Sequence, residues 1–259
     1  MATMLDHITP LILTYNEEPN LARVLDRLTW ASRIVVLDSF STDATEAIAR
    51  SHASVTFAQR KFDDHATQWN YGVALCQTPW VLALDADYVP GPGFEGELGS
   101  ISPDHAVDAY IASFRYVICG RPLRASLYPP RVVLFSKDTC RFEKDGHTQI
   151  LRTTGQTARL RSWIDHDDRK PLSRWFASQD NYAKLEAEKL SCTPLDTMLI
   201  QDRLRHTMLL GPIVIFFYTL LVRGTLFDGW RGWHYTFQRT LAEMILSLYL
   251  LEKKMKDEQ

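Results

Sequence analysis

The stretch Leu82-Ala-Leu-Asp-Ala-Asp-Tyr-Val-Pro90 finishes an apolar run on two carboxylates one residue apart. Within a strand, residues i and i+2 point the same way, and where the chain bends at a strand end Asp85 and Asp87 can converge on one point. Converging carboxylates repel unless a cation sits between them or one carries a proton. Magnesium or manganese suits such a pair, because a hard ion with oxygen ligands keeps positions open for diphosphate oxygens. An isolated Asp-x-Asp fits a solvated loop just as well, so its meaning rests on what the neighbouring strands carry.

Working outward, apolar runs at Ile8 to Leu13, Arg33 to Leu37, Ser54 to Phe57 and Trp80 to Leu84 have strand character. Helical spacing fills the gaps: Pro19 to Leu28, then Ala44 to about Arg50 behind Ser41-Thr-Asp43, then Ala66 to Cys76. Strands joined in this way lie parallel with right-handed crossovers and bind ligands outside their carboxyl ends. The first strand runs into Thr14-Tyr-Asn-Glu-Glu18, the second into Asp38-Ser-Phe-Ser-Thr-Asp43 and the fourth into Asp85-Ala-Asp87. All three polar clusters are expected on one rim of an α/β, Rossmann-like and mainly parallel sheet flanked by helices.

Composition narrows the functional classes. The 259 residues carry 29 basic and 31 acidic side chains, so no global basic field points to a nucleic-acid partner. Cys76, Cys119, Cys140 and Cys192 form no Cys-x-x-Cys pair, which argues against a zinc or redox motif and fits reduced cytoplasmic thiols. No basic segment followed by a long apolar one opens the chain, so no signal peptide is expected. A nucleotidyltransferase would share metal-bound phosphates, yet neither a glycine-rich signature with a following lysine nor dinucleotide-fold glycine spacing occurs.

Leu13-Thr-Tyr-Asn-Glu-Glu18, Val35-Val-Leu-Asp-Ser-Phe-Ser-Thr-Asp-Ala-Thr45 and Leu82-Ala-Leu-Asp-Ala-Asp87 resemble, in order and spacing, the three nucleotide-sugar motifs of glycosyltransferase family 2, whose fold is GT-A. Tyr128-Pro-Pro-Arg-Val-Val-Leu-Phe135, Arg141-Phe-Glu143, Gly146-His147, Ile164-Asp-His166 and Leu226-Phe-Asp-Gly-Trp-Arg-Gly232 are similar to segments of a branch containing bacterial lipopolysaccharide-core glucosyltransferases. The resemblance implies that Thr14, Tyr15 and Glu17 lie near the nucleotide, with Tyr15 against the base and Asp38 hydrogen-bonded to it. It implies Gln68 and Asn70 close to ribose and diphosphate, Asp85 near ribose or metal, and Asp87 as the metal ligand.

Inverting transfer also needs a base for the acceptor hydroxyl. The branch has His-Glu where this chain has His147-Thr148, so the candidates are Asp145, His147 and Glu143. Arg131, beside Tyr128, is a candidate grip on an anionic group, because guanidinium binds phosphate in bidentate fashion. Asp165-His-Asp-Asp168 is expected to be the polar entrance to a helix from about Leu172 to Leu190.

Residues 208 to 222 carry no charge, yet fifteen residues fall short of the roughly twenty that cross a bilayer. Arg203, Arg205 and Arg223, with Trp230, Arg231, Trp233 and Tyr235, supply flanks suited to a membrane interface. Peripheral attachment is favoured over the alternative, a helical pair packed on the sheet or across a homodimer. The expectation is a GT-A nucleotide-sugar-binding and catalytic domain over 1–165 and an apolar helical segment over 166–259. The corresponding activity is metal-dependent, inverting hexose transfer from a nucleoside-diphosphate sugar, uridine-linked, to a lipid-anchored or lipopolysaccharide-type saccharide at the inner face of the cytoplasmic membrane. Thr148 in place of the acid keeps open a catalytically weak nucleotide-sugar-binding or assembly protein.

Overall fold

Strands β1 (Ile8–Thr14), β2 (Ile34–Asp38), β3 (Val55–Gln59) and β4 (Trp80–Asp85) pair in parallel in the order β3-β2-β1-β4. The near-continuous apolar character of β1, β2 and β4 follows from burial on both faces, whereas the edge strand β3 is only partly buried. Ile8 and Ile12 of β1, Val36 of β2, and Leu82 and Leu84 of β4 enter one core, against Leu21, Val24 and Leu25 of α1 (Leu21–Leu25) and Ala49 of α2 (Thr45–Arg50). Leu11, Val35, Leu37, Val81 and Ala83 enter the other, against Ala66 and Trp69 of α3 (His65–Leu75). Alternate residues thus feed opposite cores, and truncating any fully buried leucine among them removes about 2–5 kcal/mol. Asp64 starts α3, its carboxylate accepting from the Thr67 N–H at 2.8 Å. The helix expected over Pro19 to Leu28 is shorter, because after Asp26 the chain closes turns that bury Leu28 instead of continuing the helix.

This computed structural model describes residues 3–102, 107–145 and 148–258. They form two compact units, Met1–Pro122 with Tyr128–Lys170, and Leu123–Leu127 with Pro171–Gln259. After β4 the first unit adds β5 (Tyr88–Pro90), α4 (Phe94–Ser100), β6 (Val107–Ile118), β7 (Arg121–Pro122), β8 (Arg131–Ser136), β9 (Cys140–Asp145), β10 (Thr148–Thr153) and β11 (Gln156–His166). The sheet continues from β4 as β8-β6-β11-β5, with β7 on β6, while β9 and β10 form a separate hairpin. β8 runs antiparallel to β4 and β6, and β11 runs parallel to β6. The antiparallel register Leu82↔Leu134 carries Arg131, the first residue of β8, toward the carboxyl end of β4.

The second unit is helical: α5 (Leu172–Cys192), α6 (Ile200–His206), α7 (Leu210–Phe217) continuing into one π turn at Tyr218–Val222, and α8 (Trp230–Asp257). Ala183, Ala187 and Leu190 of α5 pack with Met198 and with Leu246 and Leu250 of α8. Arg205 grips the buried Glu243 carboxylate with Nε at 3.1 Å and Nη2 at 2.8 Å. α8 begins at Trp230, where Gly229 turns the chain into it at φ +61°, ψ −144°. No helix among the described residues is long and apolar enough to cross a membrane.

Gly232 sits against the preceding turn, and a Cβ there would lie 1.7 Å from the Thr225 carbonyl oxygen. Backbone cannot yield as a side-chain tip does, so Gly232→Ala must open the turn. Chemical denaturation should show a loss of about 3 kcal/mol or more, at the upper end of overpacking costs. Gly96→Ala, where a Cβ meets nothing within 4 Å, should be neutral or stabilising.

Candidate active site

The registers Thr14↔Asp38, Asp38↔Gln59 and Leu13↔Asp85 bring the ends of four parallel strands to one level. Asp38 is fully buried there and accepts from both neighbouring strand ends, Thr14 Oγ1 at 2.9 Å and Gln59 Nε2 at 3.3 Å, and from its own loop, Ser41 N at 2.8 Å. The loops beyond are laced together, Ser39 N donating to Thr14 O at 2.9 Å and Asn16 N to Ser41 Oγ at 2.7 Å. Tyr15 stands exposed on this rim. Gln68 is buried and donates to Ser39 Oγ at 3.2 Å while accepting from Arg60 at 2.7 Å. Asn70 directs both ends of its amide to the Phe142 backbone in β9, at 2.9 and 3.1 Å.

Asp85 and Asp87 follow on the same rim. Burial and the neighbouring Asp87 charge hold the Asp85 carboxyl above the ordinary range, against the pull of Arg131. Burial also pushes Asp87 upward, but the His166 imidazole overrides it with Nε2 3.2 Å from Oδ2, and the net direction is down. His166 moves the opposite way, raised by Asp87 against its own burial. Tyr88, Tyr116 and Tyr128 surround its ring at centroid distances of 5.4, 4.9 and 4.7 Å. Tyr88 and Tyr128 are hydrogen-bonded through their hydroxyls, and the Arg131 guanidinium lies 5.0 Å from the Tyr128 ring centroid.

Asp87 Oδ1 is buried and has no hydrogen-bond partner, and the same holds for His166 Nδ1. An acceptor-only oxygen left bare in a protein interior fits a cation ligand. Among the described residues no three His, Cys, Asp or Glu side chains converge to hold an ion by themselves. That donor set matches magnesium or manganese bound by one or two carboxylates with diphosphate oxygens completing the shell. Asp87, with Asp85 beside it, would hold such an ion.

Sequence reasoning underrated the segment after β11. Asp165 to Asp168 does not open a helix: β11 runs to His166, and α5 starts at Leu172 behind Pro171 with no acid in its first turn. The segment is instead a strap bonded to the first loop. Arg23 donates to Asp167 Oδ2 at 2.5 Å and to its carbonyl at 2.7 Å, and Asn20 donates to Asp168 at 3.0 Å. Lys170 Nζ donates to Glu17 at 2.7 Å. Burial raises the Glu17 carboxyl to about 7 against the pull of Lys170, with the Asp87 charge adding to the rise. The available signal was the charge run His166-Asp-Asp-Arg-Lys170 placed directly after the strand-like Ile164. Asp145 ends β9, but its side chain, like the whole of His147, lies outside the described residues. Glu143 pairs with Arg152 at 3.2 Å across the hairpin.

The sequence profile described as "Glycosyl transferase family 2" matches residues 11–165, more than half of the chain, including Thr14, Asp38, Asp85 and Asp87 but stopping just before His166. The chain belongs to that family. Among its family relatives, an uncharacterized glycosyltransferase of Rickettsia felis is 28% identical over 109 residues, 42% of this chain and 38% of that one. The lipopolysaccharide core biosynthesis glycosyltransferase LpsC of Rhizobium meliloti is 30% identical over 84 residues, 31% of each chain. The matched segment spans less than two-fifths of the length of either relative. The mannosyltransferase PcManGT of Pyrobaculum calidifontis, solved with GDP-Man and Mn2+, superposes with a TM-score of 0.53 at 15% identity, covering 98% of this chain and 88% of that one. That likeness is one of fold: this family 2 chain has the GT-A architecture.

The Asp87–His166 pair gives the family 2 rim a pH signature. A histidine raised in the folded state stabilises fully below its ordinary 6.5 and loses that contribution as pH rises through the raised value. A carboxylate lowered from 3.8 stabilises above that value and loses its contribution as pH falls through the folded one. In the absence of divalent cations, the pair's contribution to the thermal midpoint should therefore be greatest between about pH 4 and 6.5. His166→Gln should flatten the alkaline fall in a pH series of melting curves relative to wild type.

Proposed function

We propose that the protein is a metal-dependent, inverting glycosyltransferase that moves a hexose from a nucleoside-diphosphate sugar, uridine-linked, to a lipid-anchored or lipopolysaccharide-type saccharide. The observation that carries this reading is the bare, buried Asp87 Oδ1 one residue from Asp85, on the rim that also holds Asp38. Family membership supports the class of reaction. On this reading Tyr15 and the loops braced by Thr14 and Asp38 take the nucleoside, while Gln68 and Asn70 brace the wall behind it. Arg131 and Lys170 supply positive charge toward the donor's anionic groups.

Magnesium or manganese on Asp87 and Asp85 would neutralise the charge that grows on the departing nucleoside diphosphate. The acceptor hydroxyl oxygen bonds to the anomeric carbon as the bond from that carbon to the phosphate oxygen breaks. The hydroxyl proton passes to a base, a role proposed for Asp145 or His147. Glu17 lies near Lys170 and helps orient it.

The experiment is thermal stabilisation by UDP-sugars and GDP-sugars with and without Mn2+, coupled to product analysis. Expected are Mn2+-dependent stabilisation, release of free nucleoside diphosphate rather than pyrophosphate, and loss of the Mn2+ dependence in Asp87→Asn. Metal-independent stabilisation that the substitution leaves unchanged sinks the metal assignment. Tight donor binding without turnover on any glycolipid acceptor favours a nucleotide-sugar-binding protein instead.

We also propose that the helical unit rests on an anionic membrane surface. Ile213, Phe217, Leu221, Phe227 and Trp230 are exposed, and an apolar groove of about 520 Å³ lies between α7 and α8, lined by Pro212, Phe216, Met244 and Leu248 among others. Arg223 and Arg231 flank this face, which favours acidic headgroups. The protein should co-float with phosphatidylglycerol vesicles, and Phe227→Asp with Leu221→Asp should abolish flotation. A dimer that the same substitutions dissociate, with no vesicle binding by wild type, overturns this proposal.

A further inference from the structure

Phe40 is held in a conformation its own side chain opposes. It lies at φ +61°, in the left-handed region where a residue with a Cβ is strained, and its ring is 52% exposed. Exposure of an apolar ring and backbone strain both work against folding, so glycine would suit this position better by stability alone. Asn16, the residue after Tyr15, is at φ +54°. The chain therefore places two left-handed residues in neighbouring loops, a conformation asparagine tolerates and phenylalanine does not.

Hydrogen bonds over-determine both. Thr42 N donates to Asn16 Oδ1 at 2.7 Å, Asn16 N to Ser41 Oγ at 2.7 Å, and Ser39 N to Thr14 O at 2.9 Å. Phe40 is thus bracketed by Ser39 and Ser41, which bond to the residues on either side of Tyr15. Tyr15 is 53% exposed. Two exposed aromatic residues thus sit in hydrogen-bonded loops that leave the strand ends at Thr14 and the buried Asp38. These loops follow β1 and β2, and the Asp85–Asp87 loop follows β4 on the far side of β1. Two strand spacings, about 10 Å, separate Phe40's strand from the carboxylate pair, a distance suited to a planar base at one end and a diphosphate at the other.

Resting on the reading that this rim takes a nucleoside diphosphate, we propose that Phe40 is a base-stacking residue that, with Tyr15, grips the donor's nucleobase and sets affinity for it. Every base has a π face, and an aromatic side chain held in place by its backbone needs no ordering when the ligand arrives. Strain at Phe40 is then the cost of aiming the ring.

The test sets affinity against stability in one variant. Phe40→Gly relieves the positive φ, so its melting temperature should equal or exceed that of wild type. Its affinity for UDP or GDP, whichever wild type binds more tightly in Mn2+, should fall about tenfold by titration calorimetry, within the range of base–aromatic stacking losses. Binding of Mn2+ with inorganic pyrophosphate, which has no base, should be unchanged, and Phe40→Tyr should retain nucleotide affinity. Nucleotide affinity in Phe40→Gly equal to wild type overturns the proposal. So does a tenfold loss shared equally by pyrophosphate, which would mark a general loop defect. A wild-type dimer that Phe40→Gly dissociates without change in nucleotide affinity overturns it in favour of a protein interface. If wild type binds pyrophosphate with Mn2+ but neither nucleotide, the base site is refuted while the metal assignment stands. If it binds none of them, the underlying reading fails as well.

Discussion

A carboxylate with no exposed surface must have its charge answered by donors, and Asp38 is answered by both neighbouring strand ends and by its own loop. Ser41 donates from that loop, while Thr14 and Gln59 donate from β1 and β3 and can do so only while these strands keep their parallel register with β2. The burial penalty of an unpaired carboxylate thereby fixes the level at which the polar loops begin. Slipping β1 or β2 by a residue would exchange the side chains that feed the two cores and also strand this charge. The rim is as rigid as the core beneath it for that reason.

Three of the four parallel strands were legible because β1, β2 and β4 are buried on both faces and so appear as apolar runs; the edge strand β3 is only partly buried and was marked by Val55 and Phe57. The polar ends were legible too, since Thr14-Tyr-Asn-Glu, Asp38-Ser-Phe-Ser-Thr-Asp and Asp85-Ala-Asp sit directly after those runs. The later half of the sheet was not. β11 carries Arg159 and Arg161 and buries only Leu160 and Ile164 among its residues, so neither period announces a strand. The charges after it suggested a helix entrance because helix starts favour acids. Their actual partners, Asn20 and Arg23, lie too far back in the chain for spacing to reveal.

The same limit applies to individual side chains. Asn70 has the polarity expected of a ligand contact, yet its amide is engaged with the β9 backbone. Gln68 is similarly turned inward, where it holds Ser39 and Arg60. Position in a motif marks these residues as candidates, but the direction of an amide depends on tertiary partners that a motif does not encode. His166 shows the converse. Within its own run it is one polar residue among several, and only the fold sets it against Asp87.

The strap after β11 also has a kinetic meaning. Glu17 and Lys170 are 153 residues apart, and Arg23 and Asp167 are 144 apart. Closing contacts of such sequence separation is slow, since chain entropy must be lost before they form. During synthesis β1 to β4 can pair long before the strap emerges, leaving Asp87 without its imidazole partner in the interim. The nascent chain can thus pair its four parallel strands first and add β11, with His166 at its end, and the strap last.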